Sequence, residues 1–361
     1  MEVAKYRNKE LVVKAAEKIR REAKGREFRI MHVCGTHENT IVRFGLRNLL
    51  PENVKVVSGP GCPVCVTPAE EIDLAAELSR KKNVILTTYG DMLKVPGVKT
   101  SLIKAKAKGG KIRVVYSVRD ALKIAVENKD KEVVHFSIGF ETTAPAPASI
   151  IYRNPPSNFS IICSHKLIPP AMIALVKAGE TRIDGFINPG HVSTIIGVKA
   201  YEKVLKETGV PQVIAGFEPL DIMIAILMIV RQVNNGETKI ENEYTRAVRY
   251  EGNVKAQEIM YEVFEKTTSN WRGIGKIEGS GLKLKEKYSK YDAIKKFDLK
   301  IEEHIEELVK GCKCGEIMRG VAVPTDCPYF AKKCTPINPI GPCMVTVEGP
   351  CAIWYKYGVK H

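Results

Sequence analysis

The sequence has 361 residues, of which 44% are hydrophobic and 27% charged. This length and apolar content predict two or three folded domains and exclude both a single small module and a disordered protein. The longest apolar run, IMIAILMIV at 222–230, is far shorter than the roughly 20 residues of a membrane-spanning helix, and the N-terminus MEVAKYRNKE lacks a signal-peptide core. We therefore expect a cytoplasmic protein with no membrane segment.

Lys and Arg outnumber Asp and Glu by 56 to 41, which leaves a formal charge of +15. Such a charge would suit nucleic acid, an acidic protein partner or an anionic substrate. No RNA- or DNA-binding motif accompanies it, and lysines are scattered along expected helices such as 99–111. A solvated surface is therefore favoured over nucleic-acid binding.

From residue 28 onward, short β-branched segments alternate with helical segments, as is typical of βαβ units and parallel sheets. The expected strands are 28–34, 54–58, 84–88, 112–117, 133–138, 159–163, 185–188 and 212–216. The expected helices are 9–23, 68–81, 119–128, 170–178, 194–206 and 219–233. Thr67 and Glu70 predict a capping box for helix 68–81, with Pro68 in its first turn.

This pattern predicts an α/β fold with two Rossmann-like parallel-sheet domains that face a cleft. An echo between SGPGCPV and INPGHVS supports two related units, which we place at 25–132 and 133–236. Beyond residue 236 the sequence becomes charged and helical, at 243–266 and 283–310, and then rich in Cys, Pro and Gly. We expect 1–24 and 237–361 to form a third, mixed domain with a Cys-rich iron–sulfur segment at its C-terminal end.

Distinctive loops follow the expected strands, where open α/β sheets bind their ligands. They read CGTHE (34–38), GPGCPVC (59–65), YGD (89–91), GFETT (139–143), SHK (164–166), NPGH (188–191) and FEPLD (217–221). We expect them to converge on one or two clefts. Glu141 and His191 would orient a ligand or move a proton there, with capping or turn formation as the alternative.

Ten cysteines in a chain expected to be cytoplasmic indicate metal binding or thiol redox chemistry more than structural disulfides. Six of them crowd the last fifty residues: Cys312, Cys314, Cys327, Cys334, Cys343 and Cys351. The C-x2-C pairs of a zinc ribbon are missing from this segment. Four thiolates around an iron–sulfur cluster are therefore favoured over zinc.

Cys62 and Cys65 form a C-x-x-C motif just before an expected helix, whose positive end would lower the thiol pKa and favour metal ligation or disulfide exchange. Gly59 and Gly61 indicate a tight turn that exposes these thiols. A buried, inert pair is the alternative. Cys34 ends the first strand, and its position suits a core residue and a ligand equally well.

Nine motifs together resemble the HypD family of hydrogenase maturation factors, and they span nearly the whole chain. They are HVCGTHE (32–38), GPGCPVCVTP (59–68), TYGDMLKVPG (88–97), GFETTAPA (139–146), NPGHVS (188–193), FEPLD (217–221), CKCGEIMRG (312–320), CTPINPIGPCMV (334–345) and EGPCA (348–352).

The resemblance implies an iron-handling scaffold for [NiFe]-hydrogenase maturation. On it an iron carrying CN and CO ligands, the Fe(CN)2CO group, is assembled with the small partner HypC, while HypE supplies cyanide. The family pattern C-x14-C-x6-C-x16-C would place a 4Fe-4S cluster on Cys312, Cys327, Cys334 and Cys351. The family's three functional cysteines fall on Cys34, Cys62 and Cys65, which would bind the iron.

The cluster pattern leaves Cys314 and Cys343 unassigned. We expect these two, together with Cys62 and Cys65, to carry thiol redox chemistry, while His37, Glu141 and His191 support the cleft. Two other functions compete with the scaffold. One is an iron–sulfur-dependent thiol/disulfide reductase, and the other is a nucleic-acid-binding metalloprotein that uses the positive charge.

Overall fold

The structure is a computed structural model that describes residues 2–301 and 309–358. Its strands are β1 (Phe28–His32), β2 (Val54–Ser58), β3 (Val84–Thr88), β4 (Ile112–Val114), β5 (Glu132–Gly139), β6 (Phe159–His165), β7 (Gly185–Pro189), β8 (Gln212–Ala215), β9 (Ile240–Asn242), β10 (Phe264–Trp271) and β11 (Gly275–Leu284).

The α-helices alternate with these strands through most of the chain. They are α1 (Glu2–Tyr6), α2 (Lys9–Glu22), α3 (Gly35–Arg43), α4 (Pro63–Val66), α5 (Ala69–Leu78), α6 (Leu102–Ala107), α7 (Val118–Glu127), α8 (Pro145–Tyr152), α9 (Ile168–Ala178), α10 (Gly190–Ile196), α11 (Glu202–Thr208), α12 (Pro219–Asn234), α13 (Val254–Val263), α14 (Ala293–Lys296), α15 (Cys314–Met318) and α16 (Pro350–Tyr357). Short 3-10 turns occupy Leu46–Leu49, Gly90–Lys94, Lys199–Tyr201, Glu286–Tyr291, Pro324–Asp326 and Pro342–Met344.

Two parallel sheets form the framework. One has five strands in the order β2-β1-β7-β8-β9, and the other has four in the order β4-β3-β5-β6. Every pairing within them is parallel. The predicted α/β class, with two Rossmann-like parallel-sheet units and a Cys-rich C-terminal segment, is confirmed.

Each predicted α/β segment contributes strands to both sheets. From 25–132, β1 and β2 join the five-stranded sheet, whereas β3 and β4 join the other. The exchange follows from the position of β7, which lies between β1 and β8 in the five-stranded sheet. Gly185 of β7 leaves space for Ile229 of α12, whose side chain would lie 2.3 Å from a Cβ at that position. The domain boundaries themselves stay a prediction.

Helices α2 and α12 cover one face of the five-stranded sheet. Asn8 caps α2 by accepting from the backbone N–H groups of Glu10 and Leu11, and Glu218 begins α12 in a capping box with Asp221. Both devices satisfy N–H groups that a helix start leaves unpaired. Both helices begin where the sequence predicts, and their apolar faces share one core with β1, β2, β7 and β8.

The charged region beyond residue 236 is less helical than predicted. Residues 264–284 form an antiparallel hairpin, β10–β11, with an irregularity between Thr267 and Ser269. Within 283–310, the helical elements of the described residues are α14 and one 3-10 turn. Residues 302–308 lie outside the described part of the chain. Across the described ranges, none of the helices has both the length and the apolarity of a membrane span.

Candidate thiol and metal site

Cys34 lies at the carboxyl end of β1 and is the N-cap residue of α3, with extended backbone angles. Its side chain is buried. Burial raises the pKa of the Cys34 thiol to about 11. The backbone N–H groups of His37 and Thr36 favour the thiolate and lower this pKa, but burial outweighs them. This thiol is therefore protonated at neutral pH, and metal binding there would release a proton.

The C-x-x-C loop lies directly against Cys34. A Cβ on Gly61 would be 2.2 Å from the Cys34 backbone nitrogen, and the Gly35 N–H donates to the Gly61 carbonyl at 3.1 Å. Only glycine permits this approach of two backbones. The C-x-x-C motif therefore lies beside Cys34 because Gly61 has no side chain.

Cys62 and Cys65 are joined by a disulfide, and both are buried. The prediction of an exposed pair is wrong, because the terminal segment covers the loop: the Pro342 carbonyl oxygen lies 3.9 Å from Cys65 Sγ. The predicted capping box at Thr67 is also wrong. Helix α5 begins at Ala69 with Pro68 as its N-cap and without a side-chain cap. Thr67 instead ends α4, and its hydroxyl donates back to the Pro63 carbonyl.

The terminal segment also closes over Cys34. A Cβ on Gly35 would lie 2.5 Å from the Glu348 carbonyl oxygen, so the two backbones touch. Thr346 donates to Asp91, which follows β3 of the other sheet, at 2.9 Å. Burial, together with Asp91, raises the pKa of Glu348. Loops from both sheets and the terminal segment therefore meet around one thiol.

The six terminal cysteines form one group. The Cys314 thiol is close enough to those of Cys312, Cys343 and Cys351 to shift their pKa values, and Cys327 contributes to the shift at Cys312. The Ile340 N–H donates to Cys334 Sγ at 3.3 Å. Hydrogen bonding from Cys314 lowers the pKa of Cys312 to about 6. All four predicted cluster ligands thus belong to this group, as do the two unassigned cysteines.

This donor set fits a 4Fe-4S cluster, which is commonly held by four Cys thiolates. In the described ranges, no three or more His, Cys, Asp or Glu side chains converge in the way that one metal ion requires. A 4Fe-4S cluster does not need that convergence, since each iron takes its own thiolate. Gly341 passes close to the thiols, as a Cβ there would be 2.4 Å from Cys314 Sγ.

A buried carboxylate, Glu38, organises the loop that carries Cys34. It accepts from His32 Nε2 at 2.7 Å, from Arg47 at 2.7 Å and from the Trp354 indole at 2.6 Å. Burial alone would raise the pKa of Glu38, but the Arg47 guanidinium and His32 outweigh it and hold that pKa far below its usual range. Sequence reasoning missed this network, whose indole donor, Trp354, is more than 300 residues from Glu38 in the chain.

His37 and His191 come together around the ring of Phe217. The ring centroids are 5.3 Å apart for His37–Phe217 and 3.9 Å for His191–Phe217. His37 Nε2 lies 2.9 Å from the Gly216 carbonyl, so it carries the proton, and Nδ1 has no partner in the described structure. Burial lowers the pKa of His37 to about 3. A neutral His37 can accept a hydrogen bond at Nδ1.

Glu141 lies apart from this group, at the carboxyl end of β5 in the four-stranded sheet. One of its oxygens accepts from the Ile168 N–H at 3.0 Å, and the other has no partner among the described residues. Burial raises the pKa of Glu141 to about 7. Tyr201 shares a hydrogen bond with Ser193 at 2.9 Å, and its pKa is raised by burial and by the charges that Glu141 and Cys34 carry when ionised.

Comparison with known proteins agrees with the resemblance drawn from the motifs. The model of the HypD family, described as the hydrogenase formation hypA family, matches residues 10–358. Hydrogenase maturation factor HypD2 of Bradyrhizobium diazoefficiens is 48% identical over 98% of this chain and 96% of its own length.

Two further relatives match over similar lengths. Hydrogenase maturation factor HypD of Cupriavidus necator is 47% identical over 99% of this chain and 97% of its own length. A putative hydrogenase expression/formation protein of Methanocaldococcus jannaschii is 48% identical over 96% of this chain and 97% of its own. The chain therefore belongs to the HypD family of hydrogenase maturation factors.

Proposed function

We propose that this protein is the scaffold and redox factor on which the Fe(CN)2CO group of [NiFe]-hydrogenase is assembled, together with HypC and transiently with HypE, in the cytoplasm. The observation that carries this proposal is the contact between the three segments that bear the thiols. Gly61, next to Cys62, packs against the Cys34 backbone, and the carbonyl of Pro342, beside Cys343, lies 3.9 Å from Cys65 Sγ.

Cys34 is the proposed ligand of the iron that is the substrate, with Cys62 and Cys65 as further iron ligands once reduced. Soft thiolates suit a low-spin iron that must later be handed on. The high pKa of Cys34 means that ligation releases a proton, and His37, which burial keeps neutral, supports the cleft as a hydrogen-bond acceptor at Nδ1. His191 positions His37 through the shared stack on Phe217, and Glu141 supports the cleft from the other sheet.

Cys312, Cys327, Cys334 and Cys351 are the proposed ligands of a 4Fe-4S cluster, which supplies single electrons when bound. The thiols of Cys314 and Cys343 are both free and shift each other's pKa, which supports a reversible disulfide between them. Reduction of the Cys62–Cys65 disulfide by this dithiol would transfer two electrons and two protons, and the dithiol would become the disulfide.

The cluster assignment is tested by iron content and visible absorption of protein purified without oxygen. We expect about four irons in the cluster and a brown protein, with both lost in Cys327→Ser and Cys334→Ser. Comparing Cys312→Ser with Cys314→Ser identifies the first ligand, and Cys163→Ser is a matched control in β6. Zinc in place of iron would refute the assignment.

The relay is tested by thiol trapping after mild oxidation, in which Cys314 and Cys343 should become protected together. Two thiols that stay reduced under these conditions would exclude the relay.

The scaffold itself is tested by infrared spectroscopy of the protein purified with HypC. Cys34→Ala should keep the cluster absorption, because the cluster ligands are elsewhere, and should lose the cyanide and carbonyl bands. Cys62→Ala and Cys65→Ala should fail in maturation and still bind HypC, because binding depends on a whole surface more than on one thiol.

The buried Cys62–Cys65 disulfide beside a dithiol also favours a second candidate, an iron–sulfur-dependent thiol/disulfide reductase. That function predicts the opposite result: Cys34→Ala stays active and the C-x-x-C variants are inactive. Hydrogenase activity in cells complemented with each variant separates the two. Full activity with Cys34→Ala would refute the scaffold.

A further inference from the structure

The outer edge of β2 leaves backbone groups unpaired. β2 is the edge strand of the five-stranded sheet. The Phe28 N–H donates to the Asn53 carbonyl and the Gly59 N–H donates to the His32 carbonyl, so the N–H and C=O groups of Val54 and Val56 face away from β1. The Val54 N–H donates to the Pro51 carbonyl at 2.9 Å. Arg47 donates to the Val56 carbonyl at 3.0 Å, but the described residues provide no acceptor for the Val56 N–H. Buried N–H groups without a partner are rare in folded proteins.

A cavity of about 440 Å³ lies along this edge, within the range of roughly 300–1,000 Å³ that is usual for ligand sites. Its walls combine apolar and polar surface, and the segment Gly320–Val323 also lines it. The lining includes Leu50, Val54, Val56, Val321, Val323 and Trp354. The groove therefore offers apolar contact beside a free strand edge.

Three cations also line the groove, and one of them, Arg47, is paired with Glu38. The other two, Arg29 and Lys55, are register partners on neighbouring strands, so their side chains project from the same face of the sheet. Like charges placed in this way destabilise a strand pair. Arg29 donates to the Gly320 carbonyl at 3.2 Å, but among the described residues neither Arg29 nor Lys55 has an ion-pair partner. Glu52 and Asp326 line the groove as well, but the Asp326 carboxylate accepts from the Val323 N–H at 2.9 Å. An added carboxylate would relieve the repulsion between the two cations.

We propose that the β2 edge is a docking site for an extended, acidic segment of a partner protein. The segment adds a strand beside β2, accepts from the Val56 N–H and donates to the Val54 carbonyl. Its alternate side chains enter the apolar groove, and one carboxylate lies between Arg29 and Lys55. Strand addition of this kind takes affinity from backbone hydrogen bonds and specificity from alternate side chains.

The groove reaches the Cys34 loop through two of its walls. Arg47 and Trp354 both line the groove, and both donate to Glu38. A partner segment seated there contacts two of the three groups that hold Glu38. The docking proposal does not depend on the iron chemistry proposed above.

The test uses the full chain and a fluorescein-labelled heptapeptide in which valine and glutamate alternate. We expect saturable binding by fluorescence anisotropy and no binding of the valine–lysine counterpart. Lys55→Glu places a carboxylate beside Arg29 and so removes the anion site. This variant should bind the peptide at least tenfold more weakly. The matched control is Lys104→Glu, which makes the same charge change on an exposed residue of α6 and should leave binding unchanged.

Hydrogen exchange tests the strand pairing separately from the charge. Saturating peptide should slow exchange of the Val56 amide at least tenfold. Three results would each overturn the proposal: no peptide binding, equal weakening by Lys55→Glu and Lys104→Glu, or an unprotected Val56 amide. The third result would mean that the groove binds the peptide through its negative charge alone. Light scattering that shows a dimer dispersed by Lys55→Glu would make a second copy the occupant and would likewise overturn it.

Discussion

The two sheets each carry a buried glutamate just beyond a strand, and the two carboxylates are in opposite states. Glu38, after β1, has three side-chain donors, and its pKa is held low. Glu141, after β5, has one backbone donor, and burial raises its pKa to about 7. Burial disfavours both charges, so the number and charge of the partners decide which carboxylate stays ionised.

This difference separates a structural role from a reactive one. An ionised Glu38 ties the Cys34 loop to Trp354 in the terminal segment and stabilises the fold. A Glu141 that titrates near neutral pH is able to exchange a proton with a bound group. The two regions thus predict opposite responses to the same substitution.

Removing the charge of Glu38 should have the largest effect. Glu38→Gln leaves Arg47 and His32 without their anion, and we expect a loss of about 3 kcal/mol of unfolding free energy. This value lies at the lower end of the range for breaking a buried pair, because Arg47 is 24% exposed. Urea unfolding at pH 7 measures it, with Glu17→Gln on the exposed face of α2 as the control. Equal stabilities would show that the network is dispensable.

The same network predicts a loss of stability in acid. Because the pKa of Glu38 is lower in the folded state than its ordinary value of 4.5, its contribution is complete above that value and declines as the pH falls below it. The difference between wild type and Glu38→Gln should therefore shrink between pH 6 and pH 3. An unchanged difference would place the stabilisation elsewhere.

Glu141→Gln should act in the opposite direction. With a folded pKa of about 7 against an ordinary 4.5, Glu141 destabilises the folded state increasingly as the pH rises from 4.5 to 7, and by a constant amount above that. Glutamine keeps the carbonyl acceptor for Ile168 without the charge. We expect a gain of up to roughly 3 kcal/mol at pH 8 and little change at pH 4. A loss at pH 8 would mean that Glu141 is ionised and paired.

Gly61→Ala tests whether the C-x-x-C loop must touch the region that Glu38 organises. The added Cβ meets the Cys34 backbone, and we expect a loss on the order of 1–3 kcal/mol together with faster labelling of Cys34 by iodoacetamide. Gly90→Ala is the matched control, since its nearest neighbour would be 3.5 Å away. Equal labelling in the two variants would show that the loops fit together without this glycine.

The sequence alone determined the α/β class, most strands, the starts of α2 and α12, and the grouping of six cysteines near the C-terminus. These features rest on local patterns, namely β-branched runs, helix caps and residue spacing, which need no knowledge of distant neighbours. The motifs that resemble the HypD family are of the same kind, since each is a short continuous segment.

The tertiary structure decided which strands share a sheet, which thiols meet and which glutamate is ionised. β1 pairs with β7 more than 150 residues later, and Glu38 receives its indole donor from Trp354. The side chains of Cys62 and Cys65 are buried because a segment distant in the sequence covers them. Such contacts depend on how the whole chain packs, and a pKa set by burial and by partners from several segments cannot be deduced from local pattern.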